Sequence, residues 1–393
     1  MSKKVPLGIL IGLLVIAIAA TSVVSMTYVK KEYNEMLMGL PDKLKRYEIL
    51  DELDSIINSN YYGNSENEKL ELAIARGYVS GLPDNYSRYL TADEYSEYLS
   101  ETNGDMYGIG IAYSKNSKGY LVVDEVFDGS PAQTSGITEG DVIIAFDSIK
   151  IDASNYDDMI AKLEGDKPNS LNITIRRDNE ETTLNVAKGY EAQSVSSDTY
   201  GNVGYIKISD FYSSTASQVQ KTVDSFISSG VTALVIDLRK NSSENFRNAV
   251  DVLDIFVPMN DSTSPAATLV DKAGNVIEKY TTTAGEINLP MAILVSSGTQ
   301  AAAEMFACSM RDFSKARLVG TKTKGVALVR EPFVLTSGDA VLLSVGEMLA
   351  YKSGSFNNSG IEPDVVSELE EKTNKINQDS QFLAAVSLIS PEG

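Results

Sequence analysis

The sequence predicts an α/β protein of several domains, α+β in its overall layout, with a membrane helix near its start. Three observations carry that reading. Beyond Gly201, short apolar runs alternate with segments of helical period, most clearly in residues 289–330. There Met291–Val295 is an apolar run, Gly298 a turn, 301–311 a stretch of good helix formers and 317–320 a second apolar run. Residues 103–189 instead carry glycine-punctuated runs of strand character, the mark of a small β-rich domain. Residues 5–29 hold no charged side chain and are enough to cross a bilayer.

Composition narrows the function. A chain of 393 residues has room for two or three domains, and its net charge of −20 makes nucleic acid and anionic lipid headgroups poor partners. The one cysteine, Cys308, excludes an internal disulfide framework. There is no histidine, which excludes Ser-His-Asp and Cys-His catalysis and histidine metal sites. No metal and no cofactor is expected. A hydrolytic nucleophile in this chain needs a lysine or carboxylate base.

In chain order, Lys3 and Lys4 precede the uncharged run and Lys30 and Lys31 follow it. The run is longer than a signal-peptide core, and no A-x-A-like cleavage site follows its Ala17-Ile18-Ala19 triplet. It reads as an uncleaved transmembrane signal anchor over 5–29, with a cleaved signal peptide as the alternative. Lysines at both ends leave its orientation open. Residues 30–102 read as a stalk and helical arm. Pro41 breaks the pattern, after which Ile49, Leu50, Leu53, Ile56 and Ile57 recur at helical spacing. A second helix, Asn67–Ser80, leads to the turn Gly81-Leu82-Pro83-Asp84.

Residues 103–189 open with Met106-Tyr107-Gly108-Ile109-Gly110-Ile111. Then come Gly129-Ser130-Pro131-Ala132, Gly136-Ile137 and Gly140-Asp141-Val142-Ile143. That spacing resembles a PDZ domain. The resemblance implies a loop of Tyr107, Gly108, Ile109 and Gly110 whose backbone N–H groups receive a peptide's C-terminal carboxylate. It also implies an edge strand over 109–113, containing Ile111, that pairs with the peptide. A helix over 155–163 flanks such a groove, with Met159 and Leu163 as candidate lining residues. Helical spacing equally allows both to fill the domain core.

Residues 190–368 then alternate strand and helix. Val203–Ile208 is a strand, and 216–228 is a helix with Val219, Val223, Phe226 and Ile227 on one face, closed by Gly230. Residues 233–236 form a buried strand running into Asp237, and 245–257 form the next helix. Residues 333–335 and 341–345 read as a hairpin around Ser337-Gly338-Asp339. The tail, 369–393, is polar apart from a short apolar helix over 382–389.

The 289–330 segment resembles the catalytic segment of the C-terminal processing peptidases, the tail-specific serine proteases, which implies a ClpP/crotonase-like α/β core. Leu294, Val295, Gly298, Glu304, Asp312, Ala316, Val319, Gly320, Thr323 and Gly325 fall in register with that pattern. So do Asp84-Asn85-Tyr86-Ser87-Arg88-Tyr89-Leu90 and Gly360-Ile361-Glu362-Pro363-Asp364. The tyrosines of the first are read as helix-packing residues that hold the arm to the core. The resemblance covers nearly everything after about residue 47. The chemistry does not carry over. Ala301 stands at the nucleophilic serine, Val326 at the general-base lysine and Arg330 at the glutamine, while Ser242, Ser243 and Glu244 replace the Pro-Gly-Gly of the oxyanion loop. No catalytic residue is intact, and a glutamate beside a developing oxyanion opposes it.

These residues imply a bacterial, membrane-anchored pseudopeptidase that binds polypeptide C-termini and serves as scaffold or regulator, with an active peptidase relative as partner. The resemblance places residues 1–4 in the cytoplasm and the bulk of the chain outside the membrane. A homodimer through the helical arm is one association left open. The competing reading is an active serine-type endopeptidase whose nucleophile has moved to Thr299, with Lys324 as base on the same strand face as Val326. Against it, a threonine at a helix start ordinarily caps the helix.

Overall fold

A computed structural model describes residues 21 and 26 and the chain from residue 40 onward, except 107, 128, 153, 165–168, 262, 284, 369–375 and 390–393. The expected membrane run, 5–29, falls almost wholly outside these residues. Among the described residues no helix is long and apolar enough to cross a membrane. The chain divides into two compact units, the first ending at Gly77 and the second starting at Tyr78.

The first unit contains α1 (Leu40–Asn60) and most of α2 (Asn67–Ser80). Pro41 lies in the first turn of α1 rather than breaking it, because a first-turn N–H has no intrahelical acceptor to lose. Ile49, Leu53 and Ile56 stay exposed along α1.

In the second unit the end of α2 leads into a turn built by Asp84, whose carboxylate accepts the backbone N–H groups of Tyr86 and Ser87 at 2.8 and 2.6 Å. The chain leaves it as β1 (Arg88–Leu90), which the sequence reading missed. The Tyr86–Tyr89 segment does not pack as helix; it is drawn out to add a strand to a sheet. Thr91 and Glu94 then form a reciprocal capping box for α3 (Ala92–Asn103), which ends on left-handed Gly104.

The β-rich domain follows as β2 (Asp105–Met106), β3 (Ile111–Lys115), β4 (Leu121–Val126), α4 (Pro131–Thr134), β5 (Val142–Phe146), β6 (Ile149–Lys150), α5 (Tyr156–Glu164), β7 (Ser170–Arg177), β8 (Glu180–Ala187) and β9 (Tyr190–Glu191). Its sheet runs β3-β4-β5-β7-β8, antiparallel throughout, with β6 on β5. Strand period explains the core: Leu171, Ile173 and Ile175 of β7 all point inward. They meet Leu121, Ile143 and Phe146 from the sheet and Met159 and Leu163 from α5. The edge strand is β3, which begins at 111 rather than 109.

The last domain contains β10 (Val195–Tyr200), β11 (Val203–Ile208), α6 (Thr215–Ser228), β12 (Ala233–Asp237), α7 (Phe246–Leu253), β13 (Ala267–Val270), β14 (Val276–Tyr280), β15 (Met291–Val295), α8 (Ala302–Asp312), β16 (Ala316–Gly320), β17 (Leu328–Val334), β18 (Ala340–Ala350), β19 (Val365–Val366) and α9 (Ser380–Ile389). The central sheet runs β10-β11-β12-β15-β16-β19 and is parallel from β11 onward. Its central strands, β12 as far as Ile236 and the whole of β15, are apolar at every position because both faces are covered. Leu234, Ile236 and Ile293 pack with Val219, Val252 and Phe306 of α6, α7 and α8. The alternate residues Ala233, Val235 and Ala292 pack with Phe382 and Ala385 of α9. A second, antiparallel sheet runs β1-β18-β13-β14, with β17 also on β18 as the expected hairpin.

Candidate functional site

Residues 296–301 turn β15 into α8. The backbone passes so close to the end of β12 that a Cβ on Gly298 would lie 2.6 Å from the Arg239 carbonyl oxygen, so the turn needs glycine there. Ser296 Oγ donates to that same carbonyl. Thr299 Oγ1 accepts the Ser296 N–H at 3.0 Å and donates to the Leu238 carbonyl at 2.8 Å. Thr299 is therefore not the helix cap: it pins the turn to β12, fully buried. The cap position is Ala301, with φ 49° and ψ −111°. An L-residue with a Cβ is strained in that region.

Glu304 joins this turn to the segment after β16. One carboxylate oxygen accepts the N–H groups of Ala301 (3.0 Å) and Val326 (2.8 Å). The other accepts the Gly325 N–H (2.7 Å) and the Thr323 hydroxyl. Burial pushes the Glu304 carboxyl above its usual range, against four donated hydrogen bonds that favour the charged form. The clamp sets Ala301 and Val326 side by side, where the family pattern has its serine and lysine. Residues 321–327 are not strand, because β17 starts only at Leu328. The expected strand-face relation of Lys324 to Val326 therefore fails. Lys324 gives its backbone N–H to the Thr299 carbonyl at 3.2 Å and is exposed.

The loop after β12 closes over the turn. Asn241, fully buried, donates through Nδ2 to the Ile208 carbonyl and accepts the Ser243 N–H at 3.0 Å. The Ser243 carbonyl in turn accepts the N–H of Ala302 at 2.9 Å. In strand-elbow hydrolases the N–H following the nucleophile is an oxyanion donor; here that donor is already taken. Glu244 does not face this position as an opposing charge. It forms an ion pair with Arg330. Arg330 also donates to the Tyr86 carbonyl at 3.1 Å and lies over the Tyr86 ring, 5.9 Å from its centroid. Two replaced positions thus neutralise each other. Nothing in either residue alone signalled this pairing, because 86 positions separate them.

Ala301 is 1% exposed and Val326 8%, and both belong to the main apolar cluster with Phe306 and Phe356. A cavity of about 1150 Å³ opens at the carboxyl ends of β11, β12, β15 and β16, lined by Lys207, Asp237, Arg239, Ser296 and Thr321 among others. Neither Ala301 nor Val326 lines it. In the β-rich domain Gly108, Ile109 and Gly110 form the bend before β3, with both glycines at positive φ, while Tyr107 lies outside the described residues. Ile111 is half-buried. Met159 and Leu163, expected as groove lining, are 7% and 2% exposed and fill the interior with Ile109. Among the described residues no cluster of acidic or thiol groups has the makings of a metal site.

A profile of the PDZ domain matches residues 108–187, and a profile of Peptidase family S41 matches 202–367. A "Probable CtpA-like serine protease" of Staphylococcus haemolyticus (strain JCSC1435) is 27% identical over 309 residues, 78% of this chain and 62% of the relative. Its namesake in Staphylococcus aureus (strain bovine RF122 / ET3-1) is 27% identical over 364 residues, 91% of this chain and 71% of the relative. The S41 and PDZ segments and these relatives support a CtpA-like member of the S41 peptidase family. Its fold is similar to that of the photosystem II D1 C-terminal processing protease. That likeness has a TM-score of 0.51 at 21% identity, over 86% of this chain and 91% of that one. The chain spans less than two thirds of the first relative's length.

Proposed function

We propose that the protein is a membrane-anchored pseudopeptidase of the S41 family, facing outward from the cell, that binds polypeptide C-termini through its PDZ domain and acts as scaffold or regulator of an active relative. The observation that carries the loss of hydrolysis is at the elbow. A methyl group stands at 301, and the adjacent Ala302 N–H is committed to the Ser243 carbonyl. An acyl-transfer site needs an oxygen at the first position and a free donor at the second. Val326 supplies no proton acceptor, and Arg330 and Glu244 are tied to each other. The relocated alternative gains nothing from the geometry. Thr299 is buried with its hydroxyl committed to Leu238, and Lys324 is exposed.

The test is cleavage of an unstructured polypeptide by the purified protein. No turnover is expected from the wild type, and none from Ala301→Ser alone, since base and oxyanion donors are still missing. Turnover by the wild type that disappears in Thr299→Ala would overturn the reading.

A further inference from the structure

The groove between β3 and α5 is crossed twice by its own side chains. At one end the Tyr113 hydroxyl donates to Glu164 Oε1 at 2.5 Å. At the other, Lys115 Nζ stands 3.5 Å from the centroid of the Tyr156 ring. Glu164 is the last residue of α5 and Tyr156 the first, so the bridges mark the two ends of the groove. Glu164 lies beside the glycine bend: a Cβ on Gly108 would sit 3.9 Å from the Glu164 Cα and 3.3 Å from the Leu163 carbonyl oxygen. Tyr113 and Lys115 lie two positions apart on β3, whose outer edge pairs with no strand among the described residues.

A peptide strand adding to β3 must displace both bridges, and each leaves a charge for the peptide to meet. With its C-terminus at the 108–110 bend, the peptide runs antiparallel to β3. Its last residue then lies by Glu164, and residues two to four positions upstream lie by Lys115. Apolar burial offers little selectivity, because Met159 and Leu163 are already spent on the interior. A carboxylate at the bend also disfavours an uncompensated terminal carboxylate. We infer that Glu164 and Lys115 set the specificity of this groove, which takes a polypeptide ending in lysine or arginine with an acidic residue a few positions before it. This rests on the reading of the domain as a binder of peptide C-termini.

The experiment is fluorescence anisotropy of the full-length protein in detergent with two labelled peptides that differ only in a terminal Lys or Leu, both with Glu upstream. The Lys peptide is expected to bind the wild type about fivefold tighter, which is what one exposed ion pair supplies. Glu164→Gln should abolish that difference while both peptides still bind. Lys115→Glu should weaken both peptides and restore binding to a third peptide with Lys upstream. Equal or tighter binding of the Leu peptide to the wild type would sink the charge code and leave the groove reading standing. No binding of any peptide, free or amidated at its C-terminus, would remove both.

Discussion

Ala301 keeps the backbone of a nucleophile elbow with a side chain that has no chemistry to perform. Its φ of 49° and ψ of −111° are held by the N–H to Glu304, by burial, and by the Gly298 turn against Arg239. Relieving such strain is worth on the order of 1–3 kcal/mol. Glycine there relieves it, at a cost of about 0.5–1 kcal/mol in chain entropy and about 0.8 kcal/mol for the buried methyl. Ala301→Gly should therefore fall between about 0.8 kcal/mol destabilising and about 1.7 kcal/mol stabilising in urea denaturation. Ala302→Gly is the control, since Ala302 is equally buried but helical. It should cost about 1 kcal/mol or more. Equal losses in the two variants would mean that the elbow is unstrained. This residue was legible in the sequence only as a missing serine. Its strain was not, because φ at 301 is set by Glu304 and by the approach of β12, which lies more than sixty positions upstream.

At the level of elements, the PDZ sheet is joined at its turns by one buried charge. Asp141, 1% exposed at the head of β5, accepts Arg177 Nε and Nη2 from β7 at 2.7 and 2.6 Å and the Thr138 N–H at 2.9 Å. Burial works against the charge, but these donors hold the carboxyl below its ordinary value of 3.8. A depressed carboxyl contributes stability above its unfolded value and loses it as pH falls through the folded one. Asp141→Asn should cost about 2–3 kcal/mol at pH 7. The gap from wild type should shrink progressively below about pH 4, read by denaturant melts across pH. A gap independent of pH would mean that Asp141 acts by shape alone. The glycine spacing around Asp141 made this domain legible, since turns at fixed offsets are local. The core strands were legible for the same reason: apolar runs such as Met291–Val295 carry their burial in their composition. What stayed hidden was pairing over distance. β1 looked helical because tyrosines suit either state, and only β18 decides for strand. The Glu244–Arg330 pair and the committed Ala302 N–H arise from the same kind of long-range closure.

At the scale of the whole molecule the proposed anchor, residues 5–29, bears on where the chain resides. An uncharged helix of that length extends about 37 Å, more than the roughly 30 Å of a bilayer's hydrocarbon core. Lysines flank the run on both sides in the sequence, as suits a span whose ends meet the headgroup layers. The rest of the chain offers the membrane little: with a net charge of −20 it is repelled by anionic headgroups, so surface adsorption is a weak alternative to insertion. These opposed properties make fractionation decisive. Alkaline carbonate or high salt strips proteins held by charge or by partners, but not a spanning helix, which leaves only with detergent. The full-length chain is expected in the carbonate-resistant pellet, and protease added outside intact spheroplasts should digest everything beyond the anchor. Replacing Leu13 and Val15 with arginine places two charges at the centre of the run, at about 2.5–3.5 kcal/mol each, and should release the protein to the soluble fraction. Release of the unaltered chain by carbonate, or full protection of its large domain from external protease, would overturn the outward-facing anchor.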